Sequence, residues 1–289
     1  MTGIPHGIID MRLRPPIAEW TESGAFATAM YYPRQVPGFP GARSAWLEDA
    51  ALLVEEMDEA GIEVGVVMGR ASAGDLATVD NSASILFCES MPGRFVTFPA
   101  IDVTNPEAGL AALEQYASRD VVRGVSIEPG SASRPMLSDD PSLDVIYKWC
   151  LDHDLPVSIS LSSTLSFLAG HDMNWASPIP VQRVAMKYPQ LKIVISHAAW
   201  PWVEQAIAAS LVCPNIFLSP DMYWATPQMP LAQEFVRAAN LALSDRMLFG
   251  TAYPTRPLRE SVDDFYSHAF EPRVLKRVTR DNALRLLKL

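Results

Sequence analysis

The sequence predicts a closed (β/α)8 barrel, and three observations support this prediction. Eight short apolar runs, rich in β-branched residues, are each followed by an amphipathic helical pattern. The runs are nearly continuous, as parallel strands covered on both faces require. The first run continues into MRLRPP and lacks the glycine-rich phosphate loop that normally opens a doubly wound sheet. Because alternating strands and helices form right-handed βαβ units, eight such units in 289 residues favour the closed barrel.

The elements follow one another in a regular order. Short buried runs predict strands at 7–11, 64–68, 95–101, 122–127, 156–161, 192–196, 215–218 and 247–250. Apolar residues at helical spacing predict helices at 46–60, 76–91, 106–118, 141–153, 180–188, 202–211, 229–242 and 259–268, with a last helix at about 271–288. An inserted loop at about 19–45 includes the Pro- and Gly-rich stretch 33–41. Because helical periodicity resumes at once, we predict a single domain over residues 1–289.

Composition and charge exclude several classes of protein. Hydrophobic residues make up 49% of the chain and charged residues 19%, an ordinary globular composition with enough apolar material for a large core. The formal net charge of −10, with no basic block, argues against nucleic acid or an anionic membrane surface as a partner. No segment reaches about 18 apolar residues, the amino terminus lacks a signal-peptide pattern, and the three cysteines have no paired spacing. We therefore expect a cytoplasmic protein without membrane contact or disulfides.

Two arginines follow the first strand at the end that faces the active-site mouth of such a barrel. Arg12 and Arg14 are two residues apart, so an extended strand would direct both side chains to one face. Two planar guanidinium groups form a strong clamp for a carboxylate or a phosphate. The alternative is structural, because each arginine could instead neutralise a carboxylate, either Glu128 or Asp102.

Three residues are candidates for proton transfer. His197 ends the buried run KIVIS, and the pKa of a histidine lies close enough to neutrality for acid or base catalysis. Asp221 precedes three large side chains, MYW, whose packing would raise its pKa by desolvation. Glu128 lies at the end of the fourth strand, where a buried carboxylate must be paired or functional. The alternatives are an exposed loop aspartate and a glutamate that only neutralises an arginine.

Further candidates for substrate binding lie at other strand ends. Arg70 follows the second strand, Ser160 ends the fifth, and Tyr253 follows the eighth. Trp200 follows the sixth strand and would either form an aromatic wall for a flat substrate or pack beneath the loop.

Taken together, the strand-end sequences resemble the amidohydrolase superfamily, in particular its amidohydrolase-related branch of decarboxylases and hydrolases. The resemblance covers nearly the whole chain and is carried by segments such as IIDMRLRP at 8–15, VVRGVSIEPG at 121–130, YPQLKIVISHAAWPW at 188–202 and DRMLFGTAYP at 245–254. It implies a distorted, amidohydrolase-like TIM barrel.

The resemblance also implies a metal centre, and this sequence departs from it. Family members carry a His-x-His pair on strand 1, where this chain has Arg12 and Arg14. The strand 5 histidine corresponds to Ser160 and the strand 8 aspartate to Ala252, so only the strand 6 ligand remains, as His197. A catalytic zinc needs about three N, O or S ligands, and two guanidinium groups would repel it. We therefore predict no metal site and no cofactor.

Three hypotheses for function remain open. The first is a metal-independent enzyme that hydrolyses a small carboxylated lactone or ring-cleavage product, using the arginines as an anion clamp and His197 with Asp221 or Glu128 for proton transfer. The resemblance includes metal-free lactonases, but those use the strand 8 aspartate as a base, and that position is Ala252 here. The second is a decarboxylase, a carbon–carbon lyase, or an isomerase acting on a similar substrate. The third is a non-catalytic small-molecule binding protein. The expected partner is a small carboxylate, and the sequence is compatible with a homodimer.

Overall fold

The structure is a computed structural model that describes residues 7–30, 34, 39–226 and 228–289, and its strands run parallel. Seven regular strands occur in this part of the chain: β1 Ile8–Leu13, β2 Ile62–Met68, β3 Phe95–Phe98, β4 Val125–Ile127, β5 Val157–Ser160, β6 Ile193–Ser196 and β7 Ile216–Ser219. Apart from Glu63, every strand residue is buried, in agreement with the apolar runs. Seven predicted strands thus lie close to their expected positions.

The eighth predicted strand, 247–250, is an extended segment instead of a regular strand. Met247 pairs with Leu218 of β7, and Tyr253 pairs with Leu13 of β1, each through one isolated bridge. The main-chain N–H of Thr251 donates to the carboxylate of Asp10 at 3.0 Å and not to a carbonyl of a neighbouring strand. This side-chain bond interrupts the ladder, which explains why the regular strand is missing.

The strands close into a ring through two seams. One sheet has the order β1-β2-β3 and the other the order β4-β5-β6-β7. Bridges from Thr97 to Val122 and from Ala100 to Ser126 join the two sheets on one side. The extended segment joins β7 to β1 on the other side. The ring is therefore a distorted (β/α)8 barrel, as predicted.

Helices separate the strands. The described helices are α1 Ala18–Thr21, α2 Gly24–Ala29, α3 Arg43–Leu47, α4 Ala50–Ala60, α5 Asn81–Ser90, α6 Pro106–Glu114, α7 Asp144–Asp152, α8 Ser163–Leu168, α9 Ile179–Lys187, α10 Val203–Val212, α11 Ala232–Ala238, α12 Leu258–Tyr266, α13 Pro272–Lys276 and α14 Asn282–Leu287. None of them combines the length and apolarity that crossing a bilayer requires.

Local chemistry explains where the helices differ from the prediction. The helix predicted at 46–60 is divided because Glu48 adopts a left-handed φ of 52°, after which the Asp49 side chain caps α4. Helix α8 is absent from the prediction, and its first turn is capped by Ser162. The predicted loop at about 19–45 contains α1 and α2. Residues 31–33 and 35–38, which include most of the Pro- and Gly-rich stretch, lie outside the described residues.

The carboxy-terminal helix closes the amino-terminal end of the barrel. The prediction at 271–288 corresponds to α13 and α14, which are joined by a π-helical turn, Arg277–Asp281. Leu286 and Leu287 pack in one cluster with buried residues of β1, β2, β3, β6 and β7. Arg280 donates to the carbonyl of Gly7, just before β1. This arrangement leaves the carboxyl ends of the strands available for a site.

Asp10 links β1 to the extended segment through hydrogen bonds of its carboxylate. One carboxylate oxygen accepts the N–H groups of Arg12 at 2.9 Å and Thr251 at 3.0 Å, and the other accepts the Thr251 hydroxyl at 2.6 Å. The side chain is fully buried. Burial raises the pKa of Asp10 from 3.8 to about 7, although these hydrogen bonds oppose the increase.

This shift predicts how stability depends on pH. Because the folded-state pKa of Asp10 is raised, the folded protein holds a proton that the unfolded chain releases. The contribution of Asp10 to the free energy of unfolding is fully present below about pH 4. As the pH rises to about 7 this contribution is lost, and the free energy of unfolding falls by up to about 4 kcal/mol. Urea unfolding of the wild type and of Asp10→Asn across this range should show wild-type stability falling relative to the variant. If the free energies of unfolding of the two proteins changed with pH in the same way, the prediction would be wrong.

Candidate active site

A cleft opens at the carboxyl ends of the strands. Its empty volume is about 470 Å³, part of which is open to solvent. Three basic side chains line it: Arg14 after β1, Arg70 after β2, and His197 after β6. The lining also includes hydroxyl groups, those of Ser162 and Thr164 after β5 and of Tyr223 after β7. Apolar side chains complete it: Leu165, Leu168 and Met222.

Beneath the cleft, Glu128 holds two of the arginines. Arg12 Nη2 lies 3.4 Å from Glu128 Oε1, and Arg70 Nη2 donates to the same oxygen at 3.3 Å. Arg70 Nε lies 3.1 Å from Oε2, which also accepts the hydroxyl of Ser72. Burial would raise the pKa of Glu128, but Arg70 and Arg12 outweigh burial and hold this pKa below its ordinary value. Glu128 is therefore an ionised anchor for the arginines, which favours the structural alternative to its predicted catalytic role.

Asp221 contacts His197 from below. Asp221 Oδ2 accepts the main-chain N–H of His197 at 3.0 Å and lies 3.2 Å from His197 Nδ1. Asp221 Oδ1 accepts the hydroxyl of Ser219 at 2.5 Å. Arg12 Nε lies 3.8 Å from Oδ2, so Arg12 is shared between Asp221 and Glu128. Burial raises the pKa of Asp221, although Arg12 opposes the increase.

His197 is electrically neutral at neutral pH. Burial lowers its pKa well below the ordinary value, and Arg12, Arg14 and Arg70 lower it further. A neutral imidazole that lines a cleft and has a carboxylate beside Nδ1 can accept a proton from a reacting group. It is a poor proton donor in this state.

The backbone at the ends of β6 and β7 is held in unusual conformations. His197, Ala198 and Ala199 have φ values of 63°, 43° and 55°, and Asp221 has a φ of 54°. Residues other than glycine adopt this left-handed region at an energetic cost, and such residues cluster at functional sites. A Cβ atom on Gly250 would lie 2.6 Å from Asp221 Oδ1, so only glycine allows this close approach. The positions of His197 and Asp221 therefore require backbone conformations that cost energy.

Arg14 differs from the other two arginines. It is 3% exposed and forms no ion pair with any acid in the described ranges 7–30, 34, 39–226 and 228–289. Its Nε and Nη2 atoms are buried without a hydrogen-bond partner there, and its guanidinium lies 5.7 Å from the ring centroid of Trp20. Burial, Arg70 and Arg12 lower the pKa of Arg14 well below its ordinary value. An anion entering the cleft would offset the electrostatic cost of burying this charge beside two other arginines.

The structure separates the remaining predicted residues from the cleft. Arg12 and Ser160 are buried but do not line it. The hydroxyl of Tyr253 forms a 2.7 Å hydrogen bond with Ser44, and Tyr253 does not line the cleft. Trp200 stacks on Tyr223 at 4.9 Å between ring centroids, so it supports the cleft wall from behind. The predicted contacts of Ser160, Trp200 and Tyr253 with substrate thus have no counterpart in this cleft lining.

Three hydroxyl-bearing residues of the cleft are absent from the predicted set of substrate-binding residues. Ser162 and Thr164 lie at the start of α8, which the periodicity did not predict. Tyr223 lies two residues after Asp221 in a short turn. A search that extended five residues past each predicted strand, instead of stopping at the first polar residue, would have included all three.

The donor set does not fit the metal centre that the resemblance implies. Within the part of the chain that the structure describes, no group of three or more His, Cys, Asp or Glu side chains could hold a metal ion. Two guanidinium groups, Arg12 and Arg14, occupy the strand 1 positions, and Ser160 and Ala252 occupy two others. His197 is the one remaining donor of the implied set, and one imidazole cannot hold a catalytic zinc.

Comparisons with known proteins agree with the fold and with the resemblance. The family model described as Amidohydrolase matches residues 33–289. An uncharacterised TIM-barrel protein from Bordetella bronchiseptica is 35% identical, with a TM-score of 0.87, over 97% of this chain and 98% of that chain. The 2,6-dihydroxybenzoate decarboxylase from Rhizobium is 16% identical, with a TM-score of 0.70, over 98% and 99% of the two chains.

A dihydroxybenzoic acid decarboxylase from Polaromonas sp., solved with manganese and 2-nitroresorcinol, is 19% identical, with a TM-score of 0.69, over 98% of this chain and 97% of that chain. At these identities the two decarboxylases show a shared fold alone. No curated protein matches this chain significantly. The predicted TIM barrel is confirmed.

Proposed function

This chain belongs to the amidohydrolase family, and from that premise we propose that it hydrolyses a small carboxylated lactone, or a related ring-cleavage product, without a metal ion. One observation carries the proposal. A buried guanidinium without an acidic partner among the described residues, Arg14, shares a cleft with a neutral histidine, His197, that has a carboxylate beside it. The first group suits an anion, and the second suits the activation of water.

The reaction needs a base and a site for negative charge. His197 removes a proton from water as the water oxygen attacks the lactone carbonyl carbon. Asp221 orients the imidazole and stabilises its charged form. The bond between that carbon and the ring oxygen then breaks, and the imidazolium returns its proton to the ring oxygen. Arg14 binds the substrate carboxylate, and Arg70 stabilises the developing oxyanion.

We assign supporting roles to two other predicted residues. Arg12 and Glu128 act as positioning residues, because Glu128 fixes Arg70 while Arg12 connects Glu128 to Asp221. Neither lines the cleft.

Decarboxylation is the second candidate. The support is that decarboxylases of hydroxybenzoates share this fold. Replacing a carboxylate by hydrogen requires a proton donor at the carbon that loses CO2. The lowered pKa of His197 makes it a base and not a donor at neutral pH, which favours hydrolysis. Isomerisation would use the same groups, and a protein that binds but does not transform its ligand is the remaining hypothesis.

Product analysis separates these candidates. The purified protein, dialysed against a chelator, should convert a carboxylated five- or six-membered lactone into the hydroxy acid, with the gain of one water seen by mass spectrometry. Release of CO2 from a hydroxybenzoate would instead indicate decarboxylation, and binding without turnover of any compound would indicate a binding protein. The Arg14→Gln variant should lose turnover, whereas Arg119→Gln, at an exposed ion pair with Glu89, should keep it.

A further inference from the structure

The cleft carries one positive charge that no acid among the described residues balances. Arg14 and Arg70 are its charged lining residues among those described, and Arg70 is already held by Glu128. Arg12, beneath the cleft, is shared between Glu128 and Asp221. Arg14 alone among the three arginines lacks an acid within ion-pair distance in the described ranges. One carboxylate of a ligand therefore completes the charge balance.

The opposite side of the cleft carries uncharged hydroxyl groups. Tyr223 Oη lies 3.2 Å from Ser162 Oγ and 3.5 Å from Thr164 Oγ1. These residues follow β5 and β7, whereas Arg14 and Arg70 follow β1 and β2, which lie across the barrel in the observed strand order.

The Tyr223 side chain is rigidly placed. Its ring stacks on Trp200 with an interplanar angle of 8° and meets the His197 ring edge-on at 5.9 Å. Because aromatic contacts on two sides fix the ring, the hydroxyl cluster of Ser162, Thr164 and Tyr223 is a preformed feature of the cleft.

We propose that this cleft selects monocarboxylates that carry a neutral hydroxyl or carbonyl oxygen at the far end, and rejects dicarboxylates of the same size. The inference rests on the proposed function and narrows its substrate. Arg14 binds the carboxylate, and the hydroxyl cluster binds the neutral oxygen, since hydroxyl groups both donate and accept hydrogen bonds. A second carboxylate would lose its hydration beside this cluster without meeting a cation.

Calorimetric titration with matched ligands tests the proposal. One series is 4-hydroxybenzoate, benzoate and terephthalate, and a second is 4-hydroxybutanoate, butanoate and succinate. In at least one series the hydroxy acid should bind about tenfold more tightly than the dicarboxylate, with the plain acid in between. Arg14→Gln should weaken binding of every ligand about a hundredfold, and Arg14→Lys should restore part of it.

The variant Tyr223→Phe separates a specific role from a structural one. It should weaken binding of the hydroxy acid about threefold, to the level of the plain acid, and leave binding of the plain acid unchanged. Tyr116→Phe, outside the cleft lining, is the matched control and should change nothing.

Three results would overturn the inference: a dicarboxylate that binds as tightly as its hydroxy acid in both series, equal weakening of all ligands by Tyr223→Phe, or no binding of any ligand at millimolar concentration. The binding pattern does not depend on turnover. Selective binding without hydrolysis would support the inference and refute the proposed function. Hydrolysis of lactones bearing two carboxylates would support the proposed function and refute the inference.

Discussion

Arg12→Met is expected to lower the free energy of unfolding by about 3 kcal/mol and to abolish turnover. The guanidinium of Arg12 is fully buried and lies within ion-pair distance of both Glu128 and Asp221. Removing one partner of a buried ion pair leaves the other charge uncompensated, which costs about 3–5 kcal/mol. The lower end of that range applies because the substitution also relieves repulsion with Arg14 and Arg70. Turnover is lost because Asp221 would no longer hold His197 in place.

Urea denaturation with parallel activity measurements checks this expectation. The matched control is Arg119→Met, which breaks an exposed ion pair with Glu89 at 2.7 Å and should cost less than about 1 kcal/mol. If Arg12→Met were as mild as this control, Glu128 and Asp221 would not depend on the shared guanidinium.

The contrast between Arg12 and Arg14 shows what the sequence could and could not predict. Alternation along a regular strand places both side chains on one face, and both are indeed buried at the same end of the barrel. The pairing of β1 with β2 shifts register between Asp10 and Leu13, so the period-two rule does not hold there. Arg12 is used to bind acids of the protein, whereas Arg14 is left for a ligand. This register shift has no signal in the apolar pattern.

Sequence reasoning offered Glu128 as a partner for an arginine but did not determine which arginines it would contact. Glu128 is 116 residues from Arg12 and 58 residues from Arg70. The strand-end rule brings all such residues to one end of the barrel, and this part of the prediction needs only the order of the strands. It does not determine which acid contacts which arginine, because that depends on side-chain packing across the mouth.

The barrel could be predicted because strands buried on both faces need apolar residues along their whole length, and such runs are visible in the sequence. The eighth strand is the exception. Its residues Met247–Phe249 are buried as predicted, but the Asp10 carboxylate takes the N–H of Thr251. A side chain that competes with the ladder cannot be recognised from hydrophobicity alone.

His197→Gln is expected to lower kcat by a factor of about 10² to 10⁴ with little change in KM. Glutamine keeps a polar side chain of similar reach but cannot accept the proton of water and return it. Binding is retained because Arg14, not His197, carries the charge that holds the ligand. Steady-state kinetics with a lactone that the product analysis shows to be hydrolysed measures both constants. His171→Gln is the control, since His171 contacts the carbonyl of Ala132 at 2.8 Å and does not line the cleft.

The pH dependence of the wild type gives this prediction a second test. A general base must be neutral, and the pKa of His197 is lowered by burial and by the neighbouring arginines. The value of kcat/KM should therefore stay level as the pH falls through about 6.5, the ordinary histidine value, and decline only at lower pH. If His197 instead donated a proton, as decarboxylation requires, activity would fall as the pH rises through its pKa. The two chemistries thus predict opposite pH dependences at the pKa of His197, and activity that rises as the pH falls through this pKa would exclude His197 as the base.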